Sequence, residues 1–372
     1  MSWVLPFSIS VLLWICIFSS SSSSSSVAAV TVSGGCNKPA ILFVFGDSNS
    51  DTGGLVSGLG FPVNLPNGRT FFHRSTGRLA DGRLVIDFLC QSLNTNFLTP
   101  YLDSLSGSTF TNGANFAVVG SSTLPKYVPF ALNIQVMQFQ HFKARSLQLA
   151  TSGTKSMINE EGFRNALYLI DIGQNDLADS FTKKNLSYVQ VIKKIPTVIA
   201  EIENAVKSLY NEGGRKFWLH NTGPFGCLPK FIALSDKKDL DSFGCISNFN
   251  SAARLFNEAL YHSSQKLRTE LKDAAIVYVD IYAIKNDLIA NGTKYGFLNP
   301  LMVCCGYGGP PYNFDVRVTC GQPGYQVCDE GSRHVSWDGI HYTEAANSWI
   351  ASKILSAAYS TPRLPFGFFC SH

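Results

Sequence analysis

The sequence predicts an α/β fold of three layers, α/β/α, around a mainly parallel five-stranded sheet. Three observations carry that expectation. Short runs of branched and aromatic residues recur, unbroken as in strands buried on both faces. Segments between them place apolar residues at helical spacing. Small polar clusters follow directly on three of the runs, where an open parallel sheet binds its ligands.

The runs are Ala40–Phe45, Asn115–Val119, Leu167–Ile172, Phe217–His220 and Ala275–Ile281. Between them Leu84–Leu93, Tyr188–Tyr210 and Asn248–Leu271 have amphipathic helical spacing, and Pro196 is expected to kink or divide the second. Thr343 is placed to cap a last helix from Glu344 to about Ala358, with the acid in its first turn. Strands alternating with helices imply parallel pairing. Gly53–Ser75 and Leu298–Arg333 read as long ordered loops rich in Gly, Pro and aromatics.

Hydrophobic residues make up 45% of the 372, enough for a substantial core, and charged residues only 15%. The net charge of +4 is scattered, which argues against nucleic acid as a partner. An apolar stretch from Val4 to Phe18 is shorter than the roughly 20 residues of a membrane span. A serine run and Val27-Ala28-Ala29 follow it, as in a cleaved secretory signal. The expected organisation is therefore a signal peptide over 1–29 and one domain over 30–372, with no stable membrane anchor.

Secretion agrees with two glycosylation triplets, Asn185-Leu186-Ser187 and Asn291-Gly292-Thr293. It agrees also with ten cysteines, five of them (Cys304, Cys305, Cys320, Cys328, Cys370) within the last seventy residues. That cluster reads as local disulfides bracing a loop, with at least one thiol of the mature chain left unpaired or intermolecular. It lacks Cys-x-x-Cys and a His pair, so no metal site is expected.

The cluster after the first run is Gly46-Asp47-Ser48-Asn49-Ser50-Asp51-Thr52-Gly53-Gly54; the second is followed by Gly120-Ser121-Ser122 and the third by Gly173-Gln174-Asn175-Asp176. A hydrolytic serine needs a base, a group that orients the base, and donors for the oxyanion. Of seven histidines, only His341 has a carboxylate three residues earlier in a turn-like setting, Asp338-Gly339-Ile340-His341. Gly339 would let the chain fold back so that Asp338 reaches one ring nitrogen. Asp47 and Asp51 are read as braces of the serine turn, Asp176 as a structural cap, and His334 as a surface residue. Tyr307–Phe314 reads equally as pocket lining or as a packed loop.

These blocks resemble the GDSL esterase/lipase, or SGNH hydrolase, family in its secreted plant branch. The resemblance spans about Pro39 to Phe366. It rests on Phe45-Gly46-Asp47-Ser48-x-x-Asp51-x-Gly53, on Gly113-Ala114-Asn115-Phe116-Ala117 with Gly120, on Gly173-Gln174-Asn175-Asp176, and on Asp338-x-x-His341. It implies a flavodoxin-like sheet, Ser48 as nucleophile, His341 as base, Asp338 as its orienter, and Gly120 and Asn175 as oxyanion donors, with Gly113 the runner-up to Gly120. No cofactor is implied. The expected activity is hydrolysis of carboxylic esters, with small-molecule, lipid or cell-wall esters as substrates in the apoplast or cell wall. An acyltransferase or a polysaccharide deacetylase of the same fold is the alternative. The chain departs from the family at Asn49, where the name-giving tetrad has Leu, and at Gly54, where Asn is usual. The α/β-hydrolase pattern Gly-x-Ser-x-Gly is absent from the sequence.

Overall fold

A computed structural model describes Cys36 and residues 39–105, 109–154 and 157–370; the expected signal peptide lies outside these. Five strands pair in parallel: β1 (Leu42–Gly46), β2 (Gly113–Asn115), β3 (Leu167–Asp171), β4 (Lys216–His220) and β5 (Ala275–Val279). Their order is β2-β1-β3-β4-β5, the flavodoxin-like order expected. A two-stranded antiparallel ribbon, β6 (Cys305–Gly306) with β7 (Gln326–Val327), stands apart from the sheet. A sixth strand that the sequence reading lacked, β8 (Ser360–Thr361), pairs antiparallel with Tyr278 and Val279 of β5. At two residues it is too short for period-two alternation to register.

β1 is buried along its whole length, as its apolar run requires. Phe43 and Phe45 point to a face filled by aromatics, with Phe139 5.0 Å from Phe43 and Phe116 stacked 5.2 Å from Phe45. Helices α3 (Leu132–Thr151), α7 (Ile195–Asn211) and α9 (Ser247–Glu270) pack together on this side. Helices α2 (Val85–Ser92), α10 (Ile281–Asn291) and α11 (Glu344–Leu355) pack together on the other. The other α-helices among the described residues are α1 (Gly54–Leu59), α4 (Glu160–Asn165), α5 (Gln174–Thr182), α6 (Tyr188–Ile192) and α8 (Pro229–Leu234). No helix among them is long and apolar enough to cross a membrane.

Pro196 divides rather than kinks. α6 ends at Ile192, and α7 begins with the proline in its first turn, where the missing N–H breaks no helical bond. Thr343 caps α11 as expected, its hydroxyl accepting from Ala346 N at 3.2 Å, with Glu344 in the first turn. The second strand is earlier and shorter than Asn115–Val119. Beyond Asn115 the chain still donates to β1, Phe116 N to Val44 O at 2.8 Å and Val118 N to Gly46 O at 3.3 Å, while Asn115 Oδ1 accepts from Ala117 N at 2.9 Å.

Four disulfides form: Cys36–Cys370, Cys227–Cys245, Cys304–Cys328 and Cys305–Cys320. Two brace the C-terminal loop as expected. Cys370 does not join that local set; it reaches back 334 positions to Cys36 and ties the two ends of the domain. Cys90 is left as a buried free thiol.

Candidate active site

The chain leaves β1 into a tight turn built by carboxylates. Asp47 Oδ1 accepts from the backbone N and side-chain Nδ2 of Asn49, both at 3.0 Å. Ser50 donates its hydroxyl to Asp171 Oδ2, at the end of β3, at 2.8 Å. Asp51 accepts from Gly53, Gly54 and Leu55 amides and, at 2.8 Å, from Val119 N. One buried carboxylate thus joins the start of α1 to the segment leading to Gly120. Both aspartates serve as the braces the sequence suggested. Ser48 sits inside this turn and is buried with it. Burial, and the Asp171 carboxylate beside it, push the Asp47 pKa upward against the Asn49 hydrogen bonds and the Lys285 cation.

Gly120 follows β2 with φ of +79°, in the left-handed region that L side chains rarely adopt; a Cβ there would also lie 3.0 Å from Val128. Asn175, in the first turn of α5, donates Nδ2 to Ser121 O at 2.9 Å and to Asp47 Oδ2 at 3.3 Å. The blocks after β1, β2 and β3 therefore meet, because those strands are neighbours and the order reverses at β1. Asp176 accepts from the Thr123 amide at 3.0 Å and hydroxyl at 2.9 Å. It fixes the loop beyond Gly120, in keeping with a structural part.

Asp338 and His341 form a dyad. His341 Nδ1 lies 2.6 Å from Asp338 Oδ2, and Asp338 Oδ1 accepts from the amides of Ile340 at 2.9 Å and His341 at 2.8 Å. Gly339, at φ of +100°, closes the turn against the Phe314 ring, where a Cβ would come within 2.7 Å. Phe314 is thereby part of a packed loop. Burial alone would raise the Asp338 pKa; the His341 ring and the two backbone amides outweigh it and hold the carboxyl below the usual range. His341 Nε2 is buried and has no hydrogen-bond partner among the described residues. The Ser48 hydroxyl therefore does not bond it in this state; catalytic hydrogen bonds are often long without substrate.

His334 is buried, not on the surface as expected; the segment that carries it pairs with the start of the C-terminal loop, Cys304 N donating to Ser336 O at 3.0 Å and Cys305 N to Trp337 O at 2.7 Å. Its carbonyl accepts from Thr343 Oγ1 at 2.5 Å. Its ring lies near Cys304 and Cys328, but those sulfurs are joined to each other and offer no thiolates to a metal. Sequence reasoning also missed Gln135 of α3. Its amide pairs with both backbone groups of Gly46, Nε2 to O and N to Oε1 at 2.8 Å each, where β2 has already ended. Missed as well were the half-buried Asp171 and the buried His220 and Lys285, charged or titratable groups behind the serine turn. Burial pushes the His220 pKa down to about 4, with Lys285 acting the same way.

The family model described as GDSL-like lipase/acylhydrolase matches residues 42–354. The chain belongs to that family. It is 67% identical over 344 residues to a GDSL esterase/lipase of Arabidopsis thaliana, covering 92% of this chain and 93% of that one. A second Arabidopsis thaliana GDSL esterase/lipase, LIP-4, is 63% identical, with 90% of each chain covered. A third relative from the same plant, alpha-L-fucosidase 3, is 44% identical over 86% of this chain and 90% of that one. Membership and these identities make this GDSL hydrolase a carboxylic ester hydrolase, on the expected α/β fold with a mainly parallel sheet.

Proposed function

We propose that this enzyme is a secreted serine esterase whose triad is Ser48, His341 and Asp338. The observation that carries the reading is the Asp338–His341 pair at 2.6 Å, whose outer nitrogen Nε2 is buried and unpartnered among the described residues. In a two-step acyl transfer, His341 takes the Ser48 proton as Oγ attacks the ester carbonyl carbon. The tetrahedral intermediate collapses with the alkoxide leaving, and His341 returns the proton to it as alcohol. Water, deprotonated by His341, then cleaves the acyl-Ser48 ester to carboxylic acid and restores the hydroxyl.

The oxyanion takes the Gly120 amide, the Ser48 amide and the Asn175 side chain. The longer of the two Asn175 hydrogen bonds, to Asp47 at 3.3 Å, is the one exchanged for substrate. Labelling with a fluorophosphonate followed by peptide mapping tests the nucleophile. The expected adduct is on Ser48 alone, and an active enzyme that takes up no label there rejects the triad. The same measurement bears on the glycosidase reading that the fucosidase relative's name raises, because glycoside cleavage needs two facing carboxylates and no serine adduct.

Secretion to the apoplast or cell wall, with acylated small molecules, lipids or cell-wall polymers as substrates and no nucleic-acid partner, completes the reading. Four disulfides agree with an oxidising compartment. Asn185 is exposed with φ of +50°, while the Asn291 side chain donates to Asp287 at 2.8 Å. Both are proposed carbohydrate acceptors, Asn185 the more accessible. Protein secreted from plant cells should lose mass on enzymatic deglycosylation, most of it traceable to Asn185; an unmodified Asn185 in secreted protein rejects that assignment.

A further inference from the structure

Asn49 occupies the position after the proposed nucleophile. Its side chain is held at both ends: Nδ2 donates to Asp47 at 3.0 Å, on the near side of Ser48, and Oδ1 accepts from Lys285 Nζ at 3.4 Å. Lys285 comes from α10, which follows β5, three strands away from β1. It is buried, an uncommon location for a lysine. Its ammonium also lies 4.3 Å from the centre of the Tyr342 ring, and Tyr342 is the neighbour of His341. One cation thus touches the residue after the serine and the residue after the histidine.

The surroundings account for a charge at that depth. Lys285 lines a cavity of about 20 Å³ with Asn49, Ser50, Asp171 and His220, walled on its apolar side by α2 and α11. Asp47 and Asp171 supply the opposite charge, while burial pulls the lysine pKa down against them. A buried ammonium gains nothing over a packed apolar side chain unless its hydrogen bonds and charge partners are placed for it. Here Asn49 and Asp47 belong to the Ser48 turn, Tyr342 to the His341 segment and Asp171 to the end of β3, so the cation spans the two segments that carry Ser48 and His341.

We infer that Lys285 is a positioning residue for ester hydrolysis, holding the Ser48 turn through Asn49 and the His341 segment through Tyr342. This rests on the proposed triad, and it assigns a use to the chain's own Asn49. A lysine acting only as core filler would, on replacement, lower stability and leave turnover by the folded enzyme intact. A positioning residue acts on kcat, because a misplacement of about 1 Å can cost on the order of 100-fold.

The test is a double-mutant cycle with Lys285→Met and Asn49→Leu, read on a soluble ester with kcat and KM separated. Each single variant is expected to lose kcat about 10- to 100-fold with KM within about twofold. The double variant should be no slower than the worse single, since both changes remove the same link. Losses that multiply, or a raised KM with kcat intact, overturn the proposal. Should Lys285→Met not fold, Asn49→Leu decides alone, and an unchanged kcat in that variant rejects the link. Fluorophosphonate labelling separates the two readings. No adduct on Ser48 in the unmodified enzyme removes the triad, whereas labelling of both variants at the unmodified rate removes only the part given to Lys285.

Discussion

Asp338→Asn is expected to lower kcat by about 10⁴-fold while leaving the fold intact. The asparagine oxygen can still accept the Ile340 and His341 amides that Asp338 Oδ1 holds at 2.9 and 2.8 Å, so the turn closes as before. What changes is the atom facing His341 Nδ1. An amide nitrogen there donates, so the ring carries its proton on Nε2 and presents no lone pair to Ser48. The charge that stabilises the imidazolium in the transition state is lost as well. The dyad's short contact of 2.6 Å makes the imidazole tautomer depend on this one oxygen. Steady-state hydrolysis of a p-nitrophenyl ester, with circular dichroism to establish folding, measures the effect. A folded Asp338→Asn enzyme within tenfold of the unmodified kcat would show that Asp338 does not orient the base.

Replacing Cys36 and Cys370 together by serine is expected to cost about 5 to 6 kcal/mol of stability, more than removing either local bridge of the C-terminal loop. In the chain-entropy account the gain from a cross-link grows with the loop it closes. This one spans 334 positions, against 24 and 15 for Cys304–Cys328 and Cys305–Cys320. There is a packing consequence too. Cys370 ends a segment whose Phe366 and Phe369 rings lie 5.5 and 4.9 Å from Trp218 of β4. Releasing it lets those rings leave the sheet. Guanidinium unfolding of oxidised protein gives the number, and a loss under about 1 kcal/mol would mean that aromatic packing alone holds the terminus.

The sheet was legible because parallel strands buried on both faces leave unbroken apolar runs. β1, β3, β4 and β5 lie where such runs stand. α3 was not legible. Its buried face carries Leu132, Val136, Phe139 and Phe142, but Gln135 and Ser146 interrupt the stripe, and Gln135 is there to pair with Gly46 rather than to fill the core. Site residues on local turns were readable for the same reason that strands were. Asp47 with Asn49, Asp51 with Gly53 and Leu55, and Asp338 with His341 bond over a few positions, where spacing constrains geometry; the bonds of Asp51 to Val119 and of Asp47 to Asn175 are not local and were not readable. Lys285 and His220 reach the serine turn only through the sheet order, which no short window encodes. A signal did exist in α10. Lys285 shares a helix face with Ile281, Ile284, Leu288 and Ile289, all buried, so a lone cation stands in an apolar stripe. The pairing of Cys370 with Cys36 was unreadable because proximity in sequence says nothing of where chain ends meet.

Cys90, the thiol left over from the four bridges, lies wholly inside α2's buried face, and burial together with the nearby Asp87 carboxylate pushes its pKa upward. A protonated sulfur shut away from solvent does not exchange with bridges or with other molecules. Among the described residues, therefore, no free thiol is placed to form a covalent dimer. The described residues are thereby chemically silent to maleimides in the folded enzyme, so that a single cysteine introduced near Ser48 would report on that place alone among them.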